Sequence, residues 1–194
     1  ATGKDDILLI VFPWNDPPTL TATAVNITLN QNTPTLLSTS TTIAAYDPDV
    51  LVFSSIARKV PSFTATVNSI GCCGTVKLIR KVAGCYIVTK DINGISDSLG
   101  PYSSLIFRGS LDAINEAISL LLYLSSCFLE EDSSPSLFPC NGELTFSIND
   151  EGFYGGTEEL EAQLSVMVHI VENSSVLLPS SSSVQKDVTS YSRL

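Results

Sequence analysis

The chain is poor in charge, and positive charge is the scarcer kind. Only 15% of its 194 residues are Asp, Glu, Lys or Arg, and ten Lys and Arg stand against twenty Asp and Glu, so the formal net charge is −10. Phosphate binding requires clustered Lys and Arg, so nucleic acid is not an expected partner. An acidic surface suits cations instead, or serves only to keep the protein in solution.

The motifs of common enzymes are also missing. His169 is the only histidine, and the sequence holds no GxSxG, HExxH or phosphate-loop motif. Acidic pairs at Glu130/Glu131 and Glu158/Glu159 could serve glycoside hydrolysis, but no aromatic cleft accompanies them. We therefore expect a protein without enzymatic activity.

Long apolar runs are absent as well. None reaches the length of about 20 residues that spans a bilayer. No signal peptide precedes the short run ILLIVF, so we expect the numbering to begin at a processed or internal point. Since 44% of the residues are hydrophobic, the chain can still build one sizeable core.

The five cysteines lack the spacing of a zinc site. Cys127 and Cys140 bracket an acidic loop rich in Ser and Pro, and a disulfide at its base would limit the entropy of a long insertion. Cys85 is predicted to pair with Cys72 or Cys73 across a hairpin, which leaves one thiol over. The alternative is a cytosolic protein with all five cysteines reduced.

Alternating apolar and polar residues predict β-strands. Such alternation over 160–170 marks a long strand with one face on a core, and 144–148 alternates in the same way before the turn-rich NDEGFYGG. These two segments predict a hairpin. A further strand is predicted over 50–56, and the apolar run 120–124 predicts a central strand.

Three more segments complete the predicted fold. Residues 76–79 and 86–88 predict a second hairpin, after an alternating strand that begins at Phe63. Within SLDAINEAISL the apolar residues share helical spacing behind Ser110 as N-cap, with Asp112 in the first turn. The sequence therefore predicts an all-β sandwich of the immunoglobulin type with one short crossover helix.

The ends differ in composition from the middle. Residues 1–17 are predicted to form an extended arm and linker, 18–172 the sandwich, and 173–194 a Ser-rich tail or arm. The arm holds a strand-like apolar run that needs a cover, because an apolar strand left in water exposes unpaired backbone groups. That run comprises Ile7, Leu8, Leu9, Ile10, Val11 and Phe12.

Two sequons predict N-linked glycans. They are Asn26-Ile-Thr and Asn173-Ser-Ser, whereas Asn32 is followed by Thr-Pro and lies outside the rule. Together with the odd cysteines and the Ser-rich tail, they favour an extracellular or cell-surface location.

Three motifs together resemble the cadherin-like repeats that occur in tandem in large surface proteins. They are NDPPTLTAT at 15–23, DPD at 47–49, and the closing run FRGSLDAINEAISLLLYL…NGELTFSINDEG at 107–152. The resemblance covers most of residues 15–171. It implies a cadherin-like sandwich whose acidic residues bind Ca²⁺ near the junction with a preceding repeat.

By this resemblance the calcium ligands come from the linker, the DPD motif and a late acidic turn. The sequence departs from the family pattern at NQNTP and at its exit, VENSSV, which lacks an Asn-Asp-Pro linker. The competing interpretation of these residues is plain Asx turns. The implied ligands are Asn15, Asp16, Asp47, Asp49, Asp150 and Glu151.

The leading hypothesis is a structural subunit of an extracellular filament or surface fibre. In it, the arm adds as a strand to a neighbouring copy, and the contact repeats head to tail. The alternatives are a Ca²⁺-dependent adhesion or glycan-binding module of a larger surface protein and, third, a carbohydrate-active enzyme. Expected partners are other copies of the chain, and then other surface proteins or glycans.

Overall fold

The computed structural model describes residues 15–50, 61–71, 74–88, 90–91, 94–95, 99–125, 140–152 and 159–172. These ranges hold a series of β-strands and one α-helix. In chain order they are β1 Thr19–Ala22, β2 Asn26–Asn30, β3 Thr35–Leu36, a 3-10 turn Leu37–Thr39, β4 Ile43–Tyr46, β5 Phe63–Gly71, β6 Gly74–Leu78, β7 Cys85–Ile87, β8 Lys90–Asp91, β9 Gly94–Ile95, β10 Ser104–Gly109, α1 Leu111–Ser119, β11 Leu121–Ser125, β12 Cys140–Asn149 and β13 Glu161–Val171.

The strands form two facing layers. One layer is a six-stranded sheet in the order β2-β13-β12-β5-β10-β7, in which only the β2–β13 pair is parallel. The other contains the three-stranded sheet β3-β11-β6, and a separate pair, β1 with β4, contacts β12, β13 and α1. This arrangement confirms the predicted all-β sandwich.

The longest hairpin follows from the strict alternation of its sequence. β12 and β13 pair antiparallel over ten positions, from Asn149 opposite Glu161 to Cys140 opposite Ile170. Their inward-facing apolar side chains are buried or half-buried, while the intervening residues face outward and are polar except for the exposed Met167. The predicted hairpin is therefore confirmed.

Helix α1 carries the chain from one layer to the other, between β10 and β11. The Ser110 hydroxyl accepts a hydrogen bond from the backbone N–H of Ala113, and Asp112 lies in the first turn, as predicted. Asn115 then ties the helix to β4 through two hydrogen bonds, of 2.8 and 2.9 Å, with the backbone of Ala45. The crossover helix is confirmed.

The predicted second hairpin is wrong. β6 pairs with β11 in the three-stranded sheet, whereas β7 pairs with β10 in the six-stranded sheet, so the two strands lie in opposite layers. Cys85 begins β7 and is a free cysteine, contrary to the predicted disulfide with Cys72 or Cys73. Both predictions fail for one reason: the disulfide was expected across the hairpin of β6 and β7, and that hairpin does not form.

Other predictions fall partly outside the described residues. Cys140 is disulfide-bonded, but its predicted partner Cys127 lies outside the described ranges. So do the apolar arm residues 7–12, Asn173 and the Ser-rich tail. Val50 belongs to a helical turn rather than to the predicted strand over 50–56. Within the described ranges, no helix has the length and apolar character to cross a membrane.

Tight packing at Gly74 allows the packing within the three-stranded sheet to be tested. A Cβ at this position would overlap the phenol ring of Tyr123, which is only 1% exposed. We expect Gly74→Ala to lower the free energy of unfolding by about 3 kcal/mol, the upper range for an overpacked core. Gly84→Ala is the control, since its nearest neighbour is 3.9 Å away and only its positive φ is unfavourable. Chemical denaturation that finds equal losses at both positions would contradict this packing.

Candidate functional site

Four polar residues meet at one end of the sandwich, here called the entry end. Asn15 precedes β1, and Asp47 and Asp49 directly follow β4. Because β1 and β4 pair antiparallel, with Thr19 opposite Tyr46, the residues before one strand and after the other lie side by side. Asp150 follows β12 at the same end. We call Asn15, Asp47, Asp49 and Asp150 the entry cluster.

Hydrogen bonds link the members of the entry cluster. The Asn15 side-chain amide donates to Asp150 Oδ2 at 2.8 Å. The backbone N–H of Asp49 donates to Asp47 Oδ1, and that of Asp16 to Asp49 Oδ2, both at 2.8 Å. The cluster thus fixes the path by which the chain enters β1.

Asp150 also holds the connection between the two longest strands. Its Oδ1 accepts hydrogen bonds from the backbone N–H groups of Gly152 and Leu160, both at 2.9 Å. One carboxylate therefore joins the end of β12, the start of β13 and the side chain of Asn15.

The cluster is buried and carries three carboxylates. Asp47 is 1% exposed, Asp49 3% and Asp150 0%. The ion pairs Arg80–Glu116 and Arg108–Glu151 both lie outside it. Buried carboxylates are costly unless hydrogen bonds or a cation offset the lost hydration.

Among the described residues, no hydrogen-bond donor reaches two oxygens of the cluster. They are Oδ2 of Asp47 and Oδ1 of Asn15, both buried. Burial raises the pKa of Asp47 to about 6; the backbone N–H of Asp49 opposes this rise, while the negative charges of Asp49 and Asp150 add to it. Burial and the neighbouring carboxylates therefore disfavour the charged form of Asp47.

The donor chemistry of the cluster fits a hard cation. Carboxylate and amide oxygens are the ligands that Ca²⁺ prefers, and two such oxygens of the cluster have no partner within the described part of the chain. Among the described residues, no three His, Cys, Asp or Glu side chains are arranged to hold a metal ion by themselves. A cation would thus need the Asn15 oxygen and further oxygens in addition to the carboxylates.

Two of the residues expected as ligands do not join the cluster through their side chains. Asp16 is exposed and contributes only its backbone N–H. Glu151 adopts a left-handed conformation, φ 56°, and its carboxylate accepts a hydrogen bond from Thr64 and pairs with Arg108. Glu151 therefore does not join the hydrogen bonds of the entry cluster, because the turn after Asp150 directs its side chain to Arg108, and its role as a calcium ligand stays a prediction.

Sequence reasoning also missed a shallow polar depression of about 570 Å³ next to the entry end. It lies on the outer face of the six-stranded sheet, where polar side chains alternate with buried apolar ones. The sequence shows that alternation in β5 and in β12. It does not show that the two strands pair and so bring their polar faces together. The lining residues are Thr64, Thr66, Arg108, Ser147, Asn149, Glu151, Glu159 and Glu161.

Comparisons with known proteins leave the family open. No protein-family model matches the chain, and no curated protein matches it. Among solved structures, it is similar to AggA, the major subunit of aggregative adherence fimbriae type I from Escherichia coli. That match has a TM-score of 0.34 and 13% sequence identity, and covers 84% of this chain and 99% of AggA. A likeness of this size carries no functional conclusion.

Acid should stabilise the metal-free cluster. The folded-state pKa of Asp47, about 6, exceeds the ordinary 3.8, so this stabilisation is complete below pH 3.8 and is lost as the pH rises through 6. Asp47→Asn mimics the protonated form. In chelator at pH 7 we expect the variant to be more stable than the wild type by up to about 3 kcal/mol, with a difference that shrinks towards pH 4.

Urea unfolding between pH 4 and 8 measures that difference. Glu161→Gln, which changes an exposed carboxylate on β13, is the matched control and should not reproduce it. A gap between Asp47→Asn and wild type that stays constant with pH would count against burial of a charged Asp47.

Proposed function

We propose that this chain is a structural module of an extracellular filament or surface fibre, in which copies follow one another end to end. The observation that supports the proposal is the placement of the two ends of the sandwich. The chain enters at Asn15, which bonds Asp150 beside the start of β13. It leaves at Val171, the far end of that strand.

The distance between these points is the length of the module. β13 spans eleven residues, which corresponds to roughly 35 Å at the usual rise per residue. A module entered at one end and left at the other extends a chain of modules along its own strand direction. Such a contact between unlike surfaces need not close on itself and therefore builds an open filament.

The apolar arm, residues 7–12, is the proposed connector. We propose that it adds as a strand to a sheet edge or groove of the neighbouring copy, so that its backbone groups and apolar side chains are covered. The competing arrangement is an arm that folds back on its own sandwich. In either case the hydrogen bonds of Asn15 and Asp16 anchor the base of the arm at the entry end.

We propose that calcium rigidifies the base of the arm, the segment just before β1. The unpartnered oxygens of Asp47 and Asn15 support a cation at the entry cluster, with Asp49 and Asp150 supplying further negative charge. A bound cation would offset the repulsion among the carboxylates and tie the segment before β1 to the ends of β4 and β12.

A second candidate function is a Ca²⁺-dependent adhesion or glycan-binding module. The polar depression beside the entry end favours it, because hydroxyl, amide, carboxylate and guanidinium groups converge there. We propose no catalytic role for the chain. His169 lies on β13 with its Nδ1 2.7 Å from the Asn141 side-chain oxygen, an arrangement that needs no reaction to explain it.

A concentration series under negative-stain electron microscopy tests the filament. The full chain should form long polymers, whereas a variant without residues 1–12 should remain folded, with an unchanged circular dichroism spectrum, and appear as single particles. The matched control lacks residues 184–194, which tests the Ser-rich tail as donor, and should polymerise. Polymers of the first variant that match those of the full chain would refute donation by the arm.

Calcium binding has its own test. Calcium added to chelator-treated protein should raise the melting temperature; at a free concentration a hundredfold above Kd the gain is about 2.7 kcal/mol. For a domain of this size that is roughly 5–10 °C. Asp47→Asn should abolish most of the shift, and Asp16→Asn should keep most of it. Equal melting temperatures in calcium, magnesium and chelator would rule out a specific site.

A further inference from the structure

Strand β2 is a sheet edge that carries no charge. It is the terminal strand of the six-stranded sheet, and among the described strands β13 is its neighbour there. Its sequence is NITLN, and the whole segment 17–46 lacks Asp, Glu, Lys and Arg. Proteins usually protect exposed edges with charged side chains, proline, bulges or very short strands. β2 spans five residues and contains none of these.

Exposed apolar side chains lie beside this edge. Val25 is 48% exposed and Met167 39% exposed. Met167 is the cross-strand partner of Asn26, and its backbone N–H donates to the Val25 carbonyl at 2.8 Å. Ile27 and Leu29 point into the core, so Asn26 and Thr28 face outward with Met167. At one end of the edge the Ser125 hydroxyl donates to the Asn30 carbonyl at 2.9 Å, whereas around Asn26 and Thr28 no described strand pairs with the outer side of β2.

The opposite edge of the same sheet is protected differently. Its terminal strand, β7, has only three residues, and its exposed Tyr86 lies opposite the charged Arg108 on β10. A short edge next to a charge offers little room for another strand. Of the two edges of this sheet, β2 is therefore the one without such protection.

We propose that an N-linked glycan on Asn26 covers the β2 edge and prevents copies of the chain from pairing along it. The inference rests on the proposed extracellular location, where such glycans are added. The sequon Asn26-Ile-Thr28 places its two functional residues on the outward face of this strand, next to Val25 and Met167. The segment 17–46 itself contains no charged residue that could protect the edge instead.

The modification attaches the glycan through the side-chain amide. Nδ2 of Asn26 attacks the anomeric carbon of an oligosaccharide linked to a lipid diphosphate. The new C–N bond forms as the bond from that carbon to the diphosphate oxygen breaks. The lipid diphosphate leaves, and the amide gives up one proton.

The glycan acts by size and hydration. A second strand must approach to about 4.8 Å to pair with β2, and a branched sugar beside that edge occupies the space. Its hydroxyl groups stay in water while its C–H faces can rest on Val25 and Met167. Because strands run along the axis between the two ends of the module, covering β2 blocks sideways growth and leaves end-to-end contact free.

Substitutions at Thr28 separate the glycan from the side chain. The full chain is expressed in cells that add N-glycans, and peptide mass analysis scores Asn26. Thr28→Ser keeps the sequon and should behave as wild type in sedimentation velocity. Thr28→Ala removes the sequon and should self-associate at about tenfold lower protein concentration, the factor expected when one or two apolar side chains become available. Thr28→Lys also removes the sequon but adds a charge to the edge, and should self-associate no more strongly than Thr28→Ser.

Three results decide the proposal. Asn26 found without sugar in the wild type overturns it, and so does a Thr28→Ala variant that sediments like Thr28→Ser. Association of Thr28→Lys as strong as that of Thr28→Ala overturns it as well, since the cover would then not act at the edge. End-to-end polymers of Thr28→Ser, scored separately by microscopy, report on the filament function alone.

Discussion

The buried Asp150 carboxylate is the interaction on which the entry end depends. It accepts hydrogen bonds from the Asn15 side chain and from two backbone N–H groups, those of Gly152 and Leu160. A buried charge is tolerated only when its oxygens are satisfied in this way. Through these bonds a single side chain sets the turn between the two longest strands and the point at which the chain joins the sandwich.

The rest of the entry cluster is less well satisfied, so the stability of this end depends on pH and on cations. Asp49 accepts a backbone hydrogen bond, but Asp47 and Asn15 each retain a buried oxygen without a donor. The cost falls when Asp47 takes up a proton or when a cation arrives, and both remedies act on the same oxygens. The body of the sandwich rests instead on apolar packing. Solution conditions should therefore alter the base of the arm before they alter the core.

Local signals in the sequence were sufficient for the longest elements. The alternation in β13 and the Ser110 cap of α1 depend on neighbouring residues, and both predictions are confirmed. The hairpin of β6 and β7 was wrong because membership of a sheet is set by distant strands, β11 and β10. At the site, Asp47, Asp49 and Asp150 could be selected as acidic residues after strands. The sequence could not predict that Glu151 pairs with Arg108 instead, since this pairing depends on the left-handed conformation of Glu151 and on a partner 43 positions away.

The two directions of the sandwich pose opposite problems for assembly. Along the strands, the entry end holds two buried oxygens that no described residue bonds, so a cation bound there would lower the cost of their burial. Across the strands, the edges present backbone groups that pair with almost any other strand, so specificity requires that they be covered. β7 meets this requirement by its shortness and by Arg108, and neither solution is available to β2. Since residues 17–46 carry no charge, this segment cannot protect the edge by charge, and Asn26 is the residue of β2 whose sequence context allows a glycan to be added there.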